Sequence, residues 1–168
     1  LPTAADFLYD PPDKIENVRN WWINSRIVVR RLLNKKKYTE VYNILSNHKL
    51  PLKTDSGREA EWLAGWVAIH HLKKPKKSIE HFNKVYENTP NKSMKAKAAY
   101  WISEANGLTN QKNEEVIWLK IASKNKFSFY GQNASIKLGN FNFKKETKIL
   151  LRPDNADDLL EVIKIILK

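Results

Sequence analysis

Carboxylates, imidazoles and aromatic rings come together in one stretch of this chain, EAEWLAGWVAIHHL, residues 59–72. Two chemistries could be run from it: acid/base work by Glu59 or Glu61, and metal ligation by His70 and His71 with His81 nearby. Metal ligation fails on spacing. Neighbouring residues of a helix point about 100° apart, no HExxH pair exists, and without cysteine the few histidines make a poor zinc set. General acid catalysis needs a carboxyl group kept protonated near neutral pH, usually inside an apolar pocket. Glu59, Glu61, Glu80, Glu87, Glu104, Glu114 and Glu115 read instead as helix caps and solvated helix faces. The sequence therefore predicts no catalytic residue, no metal ligand and no cofactor.

The elements that carry these residues are helical. Ile15, Val18, Trp22, Val29 and Leu33 share one face of a helix running to about Asn34, and Val41, Ile44 and Leu45 give the stripe of a second over Tyr38 to Asn47. Ser56 followed by Glu59 has the form of a capping box and predicts a third helix from just after Ser56 to about Leu72. Further helices are expected over Ser78 to Asn88, Ser93 to Leu108, Glu114 to Ser123 and Ser128 to Leu138, with Gly139 as the last one's stop. A final helix over Asn155 to Leu167 opens on acidic residues that suit its N-terminal dipole. Residues 1–14, with three prolines, read as an extended lead-in.

On the third helix Trp62, Trp66 and Ile69 form a stripe, and Gly65 with Ala68 offers a shallow strip where a neighbouring backbone can approach. Trp62, Gly65, Trp66, Trp101 and Gly131 are accordingly assigned to packing between helices. YTEVYNILSNHKLP, KSIEHFNKVYENTP and NEEVIWLKIASKN repeat one apolar design at roughly 35 to 40 residues, near the tetratricopeptide period of about 34. The fold class expected is all-α, a right-handed α-superhelix of tetratricopeptide-like helix pairs over residues 15–168.

The chain has 168 residues, 30 Lys+Arg against 18 Asp+Glu, and a formal net charge of +12. That balance attracts polyanions, although a lysine-rich composition gives the same excess without a ligand. Cysteine is absent, so disulfides and thiolate metal sites are excluded. No apolar run reaches the roughly 20 residues of a membrane span. The start at Leu1 carries the expectation that an upstream segment was removed.

EAEWLAGWVAIHHLKKPKKSIEHFNKVYE, the upstream WWINSRIVVRRLLNKKKYTEVYNILSNHKL, AKAAYWISEANGL and, above all, FYGQNASIKLG at 129–139 resemble the N-terminal superhelical (U/L-type) region of the soluble lytic murein transglycosylases. The likeness covers most of residues 21–139. It implies a periplasmic protein whose parent cuts peptidoglycan glycan strands, with a helical ring or arc and a separate C-terminal lysozyme-like catalytic domain. The Glu-Ser pair of that domain is missing here, so the chain alone is expected to be inactive and truncated before its catalytic domain. The very apolar 155–167 segment fits that expectation, because it needs a covering partner.

Within this resemblance Arg19, Arg26 and Arg30, on one edge of the first helix beside Ile23, are candidates for carboxylates of peptide stems on a glycan. A solvated or snorkelling edge is the competing reading. Tyr130 and Gln132 are candidates to touch sugar, an aromatic ring offering an apolar face to a pyranose. The expected partners are peptidoglycan glycan strands and the catalytic domain, with no nucleic acid. The alternative is a standalone tetratricopeptide-like adaptor that binds a protein or peptide in a groove.

Overall fold

The computed structural model describes residues 6–140, with side chains from Leu8 onward. Eight helical segments follow one another: α1 (Asp6–Tyr9), α2 (Val18–Asn34), α3 (Tyr38–Ser46), α4 (Asp55–His70), α5 (Pro75–Asn88), α6 (Lys92–Leu108), α7 (Lys112–Ser123) and α8 (Phe129–Lys137). No strand occurs among the described residues, so the chain they form is all-α. The expected last helix, Asn155 to Leu167, lies outside them.

Short polar side chains start the helices by satisfying amides that have no partner within the helix. Asn17 accepts from Asn20 N, and Asn91 from both Ser93 N and Met94 N. Ser56 and Glu59 do not form the expected capping box. Thr54 caps α4, its Oγ1 accepting from Gly57 N at 3.1 Å while donating to Pro51 O at 2.7 Å. The same device opens α8: Ser128 Oγ accepts from Gly131 N and donates to Asn125 O, both at 3.0 Å. In each case the loop carbonyl lies over the helix, so that a Cβ at Gly57 would sit 2.3 Å from Pro51 O and one at Gly131 only 1.9 Å from Asn125 O. Glycine is required there by close approach. Pro75 begins α5 three residues before the expected Ser78, since the first helical position has no use for the N–H that proline lacks. The lead-in is not wholly extended: α1 is a helical turn that meets α3, and Leu8 and Pro11 are buried.

The helix ends share a second device. After α2, α6 and α8 a left-handed residue, Lys36, Asn110 or Gly139, lets its own amide and the next one turn back onto the last carbonyls. Lys36 N reaches Leu33 O at 2.9 Å and Lys37 N reaches Leu32 O at 3.0 Å, the Schellman pattern.

Each of α4, α5, α6 and α7 packs on the helix that follows it, and α2 also meets α4 as α6 meets α8. Small side chains permit these approaches: Ala60, Ala64 and Ala68 recur every four residues on α4, and Ala98, Ala99 and Ala105 are fully buried on α6. Gly65 takes a ring rather than the backbone expected from the sequence. Phe82 of α5, fully buried, lies against it, with Cε1 2.7 Å from where a Cβ would be. Arg58 ties α4 to the end of α5, donating to Lys53 O at 2.6 Å and Asn88 O at 3.3 Å and pairing with Asp55.

Candidate ligand-binding face

One face is built from α2, α4, α6 and α8. Trp22 of α2 is buried, and its Nε1 donates to Glu59 Oε2 at 2.7 Å; Arg26, one turn on, donates to Glu59 Oε1 at 2.7 Å. The carboxylate is thus held by two donors of one helix, a charge-assisted arrangement stronger than a lone surface pair. Arg19, Ile23 and Arg26 wall a groove of about 580 Å³ whose far side is the start of α4, with Thr54, Asp55 and Ser56. Arg19 and Arg26 therefore stand together. Arg30 is exposed beyond this groove.

One turn after Glu59, Trp62 presents its ring to Lys97 of α6, whose Nζ lies 3.3 Å from the ring centroid. This cation–π contact is half-buried, where such pairs gain most from lost hydration. Burial pushes the Lys97 ammonium below its usual range, with the Glu59 charge acting the other way. Lys97 also lines a shallower groove of about 370 Å³ with Met94, Phe129 and Tyr130. Tyr130 lies 5.5 Å from Tyr100 and 5.2 Å from Phe129, ring to ring. Tyr100 is in turn approached by Lys137, which pairs with Glu104. Gln132 serves the local backbone instead, because its amide donates to Lys126 O at 3.2 Å and fastens the loop before α8.

A second group of aromatic residues fills gaps between helices. Trp66 stacks on His70 at 4.8 Å and meets His71 edge-on at 5.1 Å; His70 reaches Trp101 at 5.0 Å. His71 lies flat on Tyr38 of α3 at 3.8 Å. Desolvation and the neighbouring His70 and Lys73 lower its pKa, which favours the neutral stacked ring. Trp62 Nε1 and Trp101 Nε1 are buried and have no hydrogen-bond partner among the described residues.

Glu61 departs from the sequence expectation. It is neither cap nor solvated face but 3% exposed. His81 Nδ1 donates to its Oε2 at 2.5 Å and Lys84 Nζ to its Oε1 at 2.8 Å. His48 Nε2 stands 3.3 Å from Oε1 with poor alignment, its Nδ1 being occupied by Leu50 N at 2.8 Å. Tyr42 OH completes the chain at 3.1 Å from His81 Nε2. His81 thus bridges the carboxylate and the tyrosine hydroxyl through its two ring nitrogens. Burial acts to raise the Glu61 pKa, but the nearby His48 ring and the His81 and Lys84 donors together outweigh it and hold the group well below the carboxylate range. A general acid needs the opposite shift. Glu61 is a buried ionised joint between α3, α4 and α5.

In the sequence Trp22 reads only as part of the apolar face of the first helix and Lys97 carries no signal, since their roles here come from Glu59 and Trp62 on another helix. No family model matches the chain, and neither the curated proteins nor the solved structures contain a match to it.

Proposed function

We propose that this chain is a non-catalytic helical domain of a periplasmic soluble lytic murein transglycosylase, whose role is to position peptidoglycan, or the attached lysozyme-like domain, for cleavage by the parent enzyme. The observation that carries the reading is the run of Arg26 with Glu59, Lys97 on Trp62, and Tyr130 beside Phe129, groups drawn from α2, α4, α6 and α8. Cations and aromatic rings alternating along a surface suit a polymer that presents carboxylates and flat sugar faces in turn. The motifs from EWLAGW to FYGQNASIKLG supply the family resemblance. Packing of consecutive helices on one another supports a right-handed superhelix of tetratricopeptide-like pairs. The direction of the Glu61 shift supports an inactive chain, and the chemistry is assigned to a domain beyond it.

Co-sedimentation with purified sacculi across a salt series tests this. Retention that survives moderate salt is expected. Arg26→Gln combined with Lys97→Gln is expected to weaken it about tenfold, each charged contact being worth ~0.5–1.5 kcal/mol. Absence of retention at any salt would favour the adaptor, and release of anhydro-muropeptides by the chain alone would end the non-catalytic reading.

A further inference from the structure

The first turns of α6 separate the Lys97 groove from a second cleft of about 690 Å³. Four lysines line it: Lys92 and Lys95 from the start of α6, Lys124 and Lys126 from the end of α7 and the loop that follows. None of the four forms an ion pair, and no carboxylate lines the cleft, among the described residues. Local folding does not account for this. A helix start carries the positive end of the peptide dipoles and favours acids there, yet α6 has no acidic residue in its first turn. Four like charges around one cleft repel one another and the dipole together. Beside them Phe127 is 97% exposed, and Lys95 Nζ lies 5.3 Å from the Tyr86 ring centroid, leaving that ring already engaged.

We infer that this cleft is a subsite for a carboxylate-bearing sugar, the acid group lying among Lys92, Lys95, Lys124 and Lys126 and the apolar face of the ring on Phe127. An anion there relieves the repulsion, and the sugar face covers the one ring left open. A single open ring argues against a nucleic-acid strand, which is held by successive stacking platforms. The choice of a wall glycan rests on the function proposed above.

The test is an amide NMR titration of the full chain with a purified disaccharide–tetrapeptide muropeptide, with neutral chitotetraose, and with a fifteen-nucleotide oligo-dT. The muropeptide is expected to shift the amides of Lys92, Lys95 and 124–127 and to bind at least about tenfold more tightly than chitotetraose. Lys124→Gln with Lys126→Gln is expected to cost about tenfold in affinity and Phe127→Ala about fivefold, with the rest of the spectrum unchanged because all three side chains are exposed. Equal binding of chitotetraose, tighter binding of oligo-dT, shifts confined to other surfaces, or unaltered affinity of these variants would overturn the subsite. Sacculus retention that persists alongside any of those results removes the subsite and leaves the proposed function standing. Loss of both retention and shifts removes both.

Discussion

Replacing Glu61 with glutamine tests the buried joint directly. The wild-type carboxylate accepts from His81 at 2.5 Å and Lys84 at 2.8 Å, with His48 at 3.3 Å. A glutamine keeps one carbonyl acceptor but turns an NH₂ donor toward donors. Breaking a buried pair by removing one partner costs about 3–5 kcal/mol. Lys84 is 43% exposed and can return to water, whereas His81 and His48 are enclosed but each has a ring nitrogen that can accept from the glutamine NH₂. Those escapes bring the expected loss to about 2–3 kcal/mol at pH 7, a large part of the ~5–15 kcal/mol that holds a domain folded.

The same variant carries a pH signature. Glu61 has a lowered pKa in the folded chain, so its contribution is complete above the ordinary value of 4.5 and is lost as pH falls toward the folded value. While the folded carboxylate stays ionised and the unfolded one is protonated, each pH unit below 4.5 removes about 1.4 kcal/mol from wild type through Glu61 and nothing through position 61 of Glu61→Gln, the other carboxylates being common to both chains. The gap between the two chains, read from urea unfolding followed by circular dichroism, should therefore be widest at pH 7 and almost closed near pH 3. A gap below about 0.5 kcal/mol at pH 7, the scatter of ordinary surface substitutions, or one of unchanged size at pH 3, would refute the assignment of Glu61 as an ionised joint.

Gly65→Ala sets two effects against each other: about 1 kcal/mol gained in helix propensity, and about 1–3 kcal/mol lost because three Phe82 ring atoms lie within 3.0 Å of the new methyl and the ring is fully enclosed. A net loss in unfolding midpoint is expected, while Gly107→Ala, which meets only the movable Glu115 carboxylate at 3.0 Å, should be neutral or stabilising. Lys36→Gly should stabilise by about 0.5–1 kcal/mol in the same assay, because Lys36 is held at φ 57° where a side chain is disfavoured. An unchanged or lower midpoint would show that the left-handed turn after α2 is not strained.

Elements were legible in the sequence because helical periodicity and capping are local. Every long helix from Val18 to Lys137 lies close to its expected place, and Gly139, at φ 70°, follows α8 in the Schellman turn. Errors arose where two local signals overlapped. Thr54 outcompetes Ser56 as the cap of α4 because its side chain and its backbone N–H both reach Pro51 O, at 2.7 and 3.0 Å, a loop contact that spacing does not encode. The face of α2, α4, α6 and α8 is legible only in pieces: Arg19, Arg26 and Tyr130 stand out as residue types, but of the partners that give this face its context Glu59 reads as a helix cap and Lys97 carries no signal.

Glu59 and Glu61 show most plainly where sequence information stops. Two residues apart on one helix, they point to nearly opposite sides, and both lie in the same EAEW string. That each sits near the start of a helix follows from local pattern alone. That Glu59 meets Trp22 and Arg26 at a half-exposed groove, while Glu61 is enclosed by His48, His81 and Lys84, emerges only once the helices are packed. The physical reason is that a carboxylate's environment is set by groups 13 to 37 positions away along the chain, brought within 4 Å by helix packing and by nothing in the local pattern.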